Sequence, residues 1–200
     1  MTTYAKLKTD AAAFLHKSTL TDTIPTFVTL AEARIRTDIR VPAMQSATDI
    51  TIAAQSVSLP ANFLDPIRLY LDVPYQREIA YRPPNVFYTS TEIEQGGNPT
   101  IYTIEGQSLK FAPVPADSPT AKLLYWAAWD VLSADADTNW LMTNHYPVYL
   151  YATLAEGAAF LEDDQQAQKW GNLYSTSVQA VNRRSKWSMA AAPLKATVNV

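Results

Sequence analysis

The sequence contains no cysteine, only five glycines and few charged residues. The lack of cysteine excludes a disulfide framework, a cysteine-ligated zinc site and thiol catalysis. The scattered glycines form neither a glycine-rich phosphate loop nor the Gly-x-Ser-x-Gly turn of serine hydrolases. Charged residues make up 18% of the chain, whereas about 25% is usual in a soluble domain. This low charge indicates that other protein chains cover part of the surface.

Long apolar runs are also missing. The sequence has no stretch of about 18 apolar residues, and its first residues lack the apolar core of a signal peptide. We therefore expect no membrane association, and synthesis in a cytoplasm. The formal net charge of −3 argues against uniform attraction to nucleic acid.

The prolines divide the chain into three parts. Ten of the thirteen lie between Pro42 and Pro119, which excludes long helices from the middle. In both flanks, apolar residues recur at the spacing of amphipathic helices. We predict two helices before Pro42, with Pro25 in the first turn of the second, and two more between about Tyr146 and Trp187. The first of the C-terminal helices is apolar nearly all round, so we expect it to be buried, partly against another chain.

The middle part alternates apolar and polar residues, as half-buried β-strands do. About seven such stretches occur in roughly 85 residues, which is typical of a small antiparallel sandwich or barrel. The clearest pair, Ile101–Glu105 and Ser108–Phe111, flanks Gly106 and Gln107 and predicts a hairpin.

These patterns predict an α+β fold with four regions. Residues 1–42 and 139–188 form a four-helix bundle, residues 43–138 form an inserted antiparallel β-sandwich or barrel, and residues 189–200 form an extended tail that binds a partner. The end of this tail alternates strictly over seven residues, with apolar side chains at Leu194, Ala196, Val198 and Val200. A terminal strand of this kind returns to its own sheet or adds to the sheet edge of another chain, unless it is simply frayed.

Polar clusters in the sequence give no convincing catalytic or metal site. Residues 135–139 resemble the start of a calcium loop, but the positions that need glycine and glutamate hold Trp140 and Tyr146. The two histidines, His16 and His145, have no second metal ligand four residues on. We therefore expect no metal, no cofactor and no enzymatic activity.

One set of packing residues extends along most of residues 20–186. Its segments are Ile24–Phe27, Ala31–Ile35, Arg40, Leu59–Leu64, Arg68–Leu71, Gly97–Gly106, Leu109–Pro115, Asn139–Asp164, Trp170 and Tyr174. Together they resemble the head-to-tail adaptor, or neck, proteins of tailed bacteriophages. One departure is Gly157, where the family pattern leads us to expect alanine or a bulkier residue.

The resemblance implies a non-enzymatic structural protein in the neck of the virion. Such adaptors form a ring of about twelve copies, held by heterologous contacts that close, beneath the portal at one capsid vertex. They extend the channel through which double-stranded DNA passes without sequence-specific binding. They also give tail, nozzle or fibre proteins a platform.

Two features of the sequence fit this role. The C-terminal tail, through Leu194, Ala196, Val198 and Val200, suits docking on the portal by strand addition. An alanine-rich face of the first C-terminal helix suits contact between neighbouring subunits, and it comprises Val148, Ala152, Ala155 and Ala159. A different class of function stays open, namely a carbohydrate-binding β-sandwich with helical decoration. That function requires exposed aromatic side chains on the β-rich part.

Overall fold

The structure is a computed structural model. It describes residues 2–16, 20–71, 76–94 and 96–190, apart from the side chains of residues 94 and 186–190. The chain divides into two compact units. The helical unit comprises residues 1–43 and 129–200, and the β unit comprises residues 44–128.

The elements are named here in chain order. They are α1 (Tyr4–Leu15), α2 (Ile24–Asp38), β1 (Gln45–Thr51), β2 (Ser56–Ser58), β3 (Phe63–Leu71), β4 (Arg77–Glu78), β5 (Ala80–Tyr81), α3 (Pro84–Phe87), β6 (Ile101–Glu105), β7 (Ser108–Ala112), β8 (Thr120–Ala127), α4 (Trp140–Asn144), α5 (Tyr146–Phe160) and α6 (Asp164–Ala190). Short 3-10 helices cover Pro42–Met44 and Thr91–Glu94.

The helices begin where local chemistry satisfies their first N–H groups. The side chain of Asn139 accepts a hydrogen bond from the Met142 N–H at the start of α4. Asp163 does the same for Gln166 at the start of α6. Helices α2 and α5 each carry a proline in the first turn, where its missing N–H costs nothing.

The helical unit is arranged around α5, which packs against α1, α2, α4 and α6. Both faces of α5 are buried, and the inward stripe of α6 consists of Tyr174, Val178 and Val181. Burial of α5 on all sides explains why its sequence is apolar nearly all round. The contacts show a central helix, α5, with four helices packed against it, and they do not define the geometry of a four-helix bundle. The four-helix bundle therefore stays a prediction.

Two four-stranded sheets make up the β unit. Their strand orders are β1-β8-β3-β4 and β2-β7-β6-β5. The buried residues of both sheets form one cluster, with Leu69, Leu123 and Tyr125 from the first sheet and Leu109 and Phe111 from the second. A shared core of this kind is that of a β-sandwich.

The α+β class predicted from the sequence is confirmed, with three differences in detail. Strands β5 and β6 pair in parallel, whereas all strands were expected to be antiparallel. Residues 129–138, assigned above to the β-rich insertion, belong to the helical unit. Helix α6 continues to Ala190, so the first two residues of the predicted extended tail are helical.

Candidate interaction surfaces

The face of α5 predicted to contact a neighbouring subunit lies mostly inside the helical unit. Val148, Ala152 and Ala155 are 1%, 0% and 6% exposed, whereas Ala159 is exposed. The chain's own helices cover the first three side chains, so these are not available to another chain in this conformation. The assignment of those three residues to a subunit interface stays a prediction, which their burial in this conformation does not support.

Gly157 lies where side chains of α1 and α2 pack closely against α5. A Cβ atom at this position would lie 2.7 Å from Leu15 Cδ1 and 3.3 Å from Phe27 Cδ2. Such distances are shorter than ordinary van der Waals contact, so an added side chain would displace its neighbours. Glycine therefore stands here because α1 and α2 pack directly on α5, and this explains the departure from the expected alanine or bulkier residue.

Apolar side chains remain exposed where α1 and α5 end and where α2 and α6 begin. Phe14 is 50% exposed and Phe160 is 59% exposed. Phe14 contacts the Trp170 ring edge-on, at 5.9 Å between centroids, and Phe160 packs at 5.3 Å on the buried Phe27. We define the apolar end surface as Phe14, Leu161 and Trp170, which border one cavity, together with the adjacent Phe160.

The residues of the apolar end surface lie around a cavity. Phe14, Leu161 and Trp170 line this cavity, which has a volume of about 290 Å³. Exposed large apolar groups close together mark sites where proteins bind one another. The sequence places these residues on the apolar stripes of amphipathic helices, which predicts core positions and does not reveal that part of each stripe stays uncovered.

Polar contacts hold the helices of the helical unit in register. Arg34 of α2 pairs with Glu156 of α5 at 2.6 Å. The Tyr174 hydroxyl of α6 donates to an Asp38 carboxylate oxygen at 2.8 Å, and the Asn182 amide donates to the Asp38 carbonyl at 2.9 Å. These contacts tie α2 to both of the long C-terminal helices, α5 and α6.

A second set of polar contacts attaches the segment before α4 to the N-terminal helices. The half-buried Glu32 carboxylate accepts the Leu132 N–H at 3.0 Å, and burial raises the pKa of this carboxyl group. The Asp137 carbonyl accepts the Tyr4 N–H at 2.9 Å, and the Asp135 carbonyl accepts the Ala5 N–H at 3.1 Å.

The same segment accounts for the resemblance to a calcium loop. The Asp137 carboxylate accepts hydrogen bonds from the N–H groups of Ala134 and Ser133, at 2.7 and 2.8 Å, and from the Ser133 hydroxyl. The bond from Ala134 is the main reason that the pKa of Asp137 lies below its ordinary value. This carboxylate therefore closes a turn instead of facing a cation.

His145 lies in an aromatic stack. The Trp140 ring stacks on Trp129 at 5.9 Å between centroids, and the His145 ring lies 5.3 Å from Trp140, tilted by 55°. Burial lowers the pKa of His145, and the nearby Arg184 lowers it further. An imidazole packed on tryptophan suits a structural role, and the Ser185 hydroxyl that lines the same cavity as His145 donates to the Val181 carbonyl within α6.

The described part of the chain contains no group of three or more side chains placed to hold a metal ion. In that part, no helix combines the length and the apolar character that crossing a membrane requires. Leu194, Ala196, Val198 and Val200, predicted to bind the portal, lie outside the described residues.

The β unit does expose aromatic side chains. Tyr81 is 48% exposed and contacts the buried Tyr102 ring, and Tyr88 is 50% exposed with its hydroxyl bonded to Lys110 Nζ at 2.7 Å. Each ring is therefore held by a neighbour within the unit. Two such tyrosines are common on any surface and do not by themselves favour carbohydrate binding.

Comparison with known proteins identifies the family. A family model described as the SU10 adaptor protein matches residues 2–196, nearly the whole chain. No curated protein matches the chain. The match confirms the resemblance to a phage head-to-tail adaptor, a structural component of the virion at the head–tail junction and not a class of enzyme. The chain therefore belongs to the SU10 adaptor protein family.

Proposed function

We propose that this adaptor assembles as a ring of about twelve copies under the portal, which extends the DNA channel and carries the tail proteins. The observation that supports this most directly is the family match over residues 2–196. It favours a structural role over carbohydrate binding. In this role double-stranded DNA crosses the lumen without sequence-specific contacts, and the net charge of −3 limits its adhesion to phosphate.

The tail of the chain is the part that docks on the portal. Residues 194–200 alternate apolar and polar side chains over a length that suits one strand. Added to a sheet edge, such a strand gains backbone hydrogen bonds along its length and places Leu194, Ala196, Val198 and Val200 on one face. Because α6 ends at Ala190, removal of residues 191–200 leaves every described element in the chain.

The contact between ring neighbours is assigned to the apolar end surface, in place of the buried face of α5. A ring needs two different surfaces on each subunit, and the apolar end surface supplies one of them.

In a second part of the proposal, the β unit faces outward toward tail, nozzle or fibre proteins. A reconstruction in which the β unit lines the lumen would refute this second part.

Portal docking is tested by co-purification with the tagged portal protein of the same phage. Four versions of the adaptor are compared for recovery with the portal: the full chain, a chain that ends at Ala190, and two point variants of the tail. Val198→Asp charges the apolar face and is expected to reduce recovery at least tenfold, as is the truncation. Thr197→Asp, the matched control on the polar face, is expected to bind like the full chain. Equal recovery of all four proteins would show that the tail does not dock.

Ring formation is tested on the same co-purified material by electron microscopy. Double replacement of Phe14 and Phe160 by serine removes the two large exposed side chains of the apolar end surface and should reduce the fraction of portals that carry a complete ring. Val131 is 55% exposed but lies outside the apolar end surface, so Val131→Ser is the control and should leave rings intact. Complete rings from the double variant would place the subunit contact elsewhere.

A further inference from the structure

The β unit has one long strand edge that the described residues leave open. Strand β1 has seven residues and pairs with β8 on one side only, as the first strand of its sheet. The register of β1 with β8 is regular from Gln45 to Thr51, without a bulge. The other outer strands of the two sheets, β2, β4 and β5, have only three, two and two residues. Short edge strands are a common protection against pairing with other chains, and β1 lacks it.

The backbone groups on the open side of β1 can be identified. The Ile52 N–H donates to the Pro119 carbonyl at 2.9 Å, just beyond the end of the strand pair. In an antiparallel pair the residues alternate between those bonded to the partner strand and those whose N–H and C=O point away. Ile50, Thr48 and Ser46 therefore bond to β8, and the open edge presents the N–H and C=O groups of Gln45, Ala47, Asp49 and Thr51.

The two faces of β1 differ in polarity. Ile50 is buried, and Ser46 and Thr48 are half-buried on the core side. On the other face Asp49 is well exposed and lies 3.7 Å from Lys122. A strand that pairs with this edge should be apolar on one face and polar on the other, with a positive charge on the polar face near Asp49.

One segment of the chain itself has these properties. Residues 194–200 have the same length as β1 and alternate strictly, with apolar side chains at even positions. Their polar face carries Lys195, Thr197 and Asn199, so its one charged side chain is positive. Paired with β1, the apolar face of this segment would extend the core and Lys195 would share the exposed face with Asp49.

We propose that, when no portal is present, the open edge of β1 binds residues 194–200 of a second copy by strand addition. Each copy then offers one donor segment and one acceptor edge, which is a heterologous contact of the kind that builds rings. The proposal rests on the strand-forming character of the tail, which portal docking also uses. Portal binding and self-association therefore compete for the same segment, and docking on the portal releases the β1 edge of the neighbouring copy.

The experiment mixes a protein without the acceptor and a protein without the donor. Ala47→Pro removes an N–H from the open edge and breaks no bond to β8, because proline is accepted where the N–H faces away from the partner strand. This variant keeps its tail, whereas the chain that ends at Ala190 keeps its edge. Sedimentation velocity at micromolar concentration is expected to show self-association of the full chain and monomers for each altered protein alone. The mixture is expected to form a one-to-one complex.

The outcomes separate this proposal from portal docking. A full chain that stays monomeric, or a mixture in which no complex forms, overturns the tail-to-edge contact. If Ala47→Pro does not fold, as judged by its thermal melt, amide exchange of the full chain replaces it. Protection of the Ala47, Asp49 and Thr51 amides must then exceed that in the chain ending at Ala190, and equal protection overturns the proposal. A folded Ala47→Pro variant still has its tail and should therefore be recovered with the portal. Loss of that recovery would argue against portal docking through the tail and not against the tail-to-edge contact.

Discussion

At the scale of single residues, Gly157 and Gly171 occupy helices in opposite environments. A Cβ atom at Gly157 would meet Leu15 and Phe27, whereas one at Gly171 in α6 would have no atom within 4 Å. Alanine is favoured over glycine in a helix by about 0.5–1 kcal/mol, and crowding a packed site costs about 1–3 kcal/mol. We therefore expect Gly171→Ala to raise the free energy of unfolding by about 0.5–1 kcal/mol and Gly157→Ala to lower it by about 1 kcal/mol.

Urea denaturation followed by helical circular dichroism measures both variants, and Gly171→Ala serves as the control for helix propensity. A Gly157→Ala variant as stable as Gly171→Ala would mean that Leu15 moves aside without cost. The close packing would then not be the reason for glycine at this position.

The chemistry of single residues explains why the sequence does not show that the predicted interface face of α5 is covered by the chain's own helices. The sequence shows correctly that Val148, Ala152 and Ala155 are apolar, but not which chain covers them. Small side chains suit close packing within one chain as well as between two chains. The exposed positions, such as Phe160, are equally apolar, so composition alone cannot separate a covered stripe from an open one.

At the scale of elements, a partly buried hydrogen bond joins α2 to α6. The Tyr174 hydroxyl donates to Asp38 at 2.8 Å, and the Tyr174 ring is 3% exposed. Replacement by phenylalanine keeps the ring and removes the donor to the exposed carboxylate, which costs about 0.5–1.5 kcal/mol. We expect Tyr174→Phe to lower the free energy of unfolding by that amount, measured by urea denaturation.

Tyr151 offers the matched control for this substitution. Its ring stacks on Trp170 at 5.8 Å, and among the described residues its hydroxyl has no hydrogen bond. Tyr151→Phe should therefore change stability by less than about 0.5 kcal/mol. An equal loss in both variants would show that the effect comes from the rings and not from the contact with Asp38.

Elements were predicted well where local chemistry decides them and poorly where contacts distant in sequence decide them. Prolines and apolar spacing place α1, α2, α5 and α6, and Gly106 places the β6–β7 hairpin, because caps and turns are local. The parallel pairing of β5 with β6 depends on strands that are distant in sequence. The hydrogen bond from Leu132 to Glu32 likewise links residues that are far apart in the chain, and no periodic pattern predicts that residues 129–138 join the helical unit.

At the scale of the whole molecule, the β unit is an insertion whose two ends are neighbours. Gln45 at the start of β1 is the register partner of Trp126 near the end of β8. Adjacent strands lie about 5 Å apart, so the chain enters and leaves the β unit at nearly the same point. The β unit also has its own core, and the helical unit is packed around α5.

This arrangement predicts that the two units have separable roles. We expect a chain in which residues 45–127 are replaced by a short Gly-Ser linker to keep the helical circular dichroism of residues 1–43 and 129–200. Because its tail and its apolar end surface are intact, this chain should still be recovered with the portal and form rings, yet it should fail to recruit the tail proteins. The full chain, carried through the same portal co-purification and tail-recruitment assay, is the reference. Recruitment of tail proteins by the shortened chain would assign the platform to the helices, and loss of portal recovery by a folded shortened chain would show that the β unit takes part in docking.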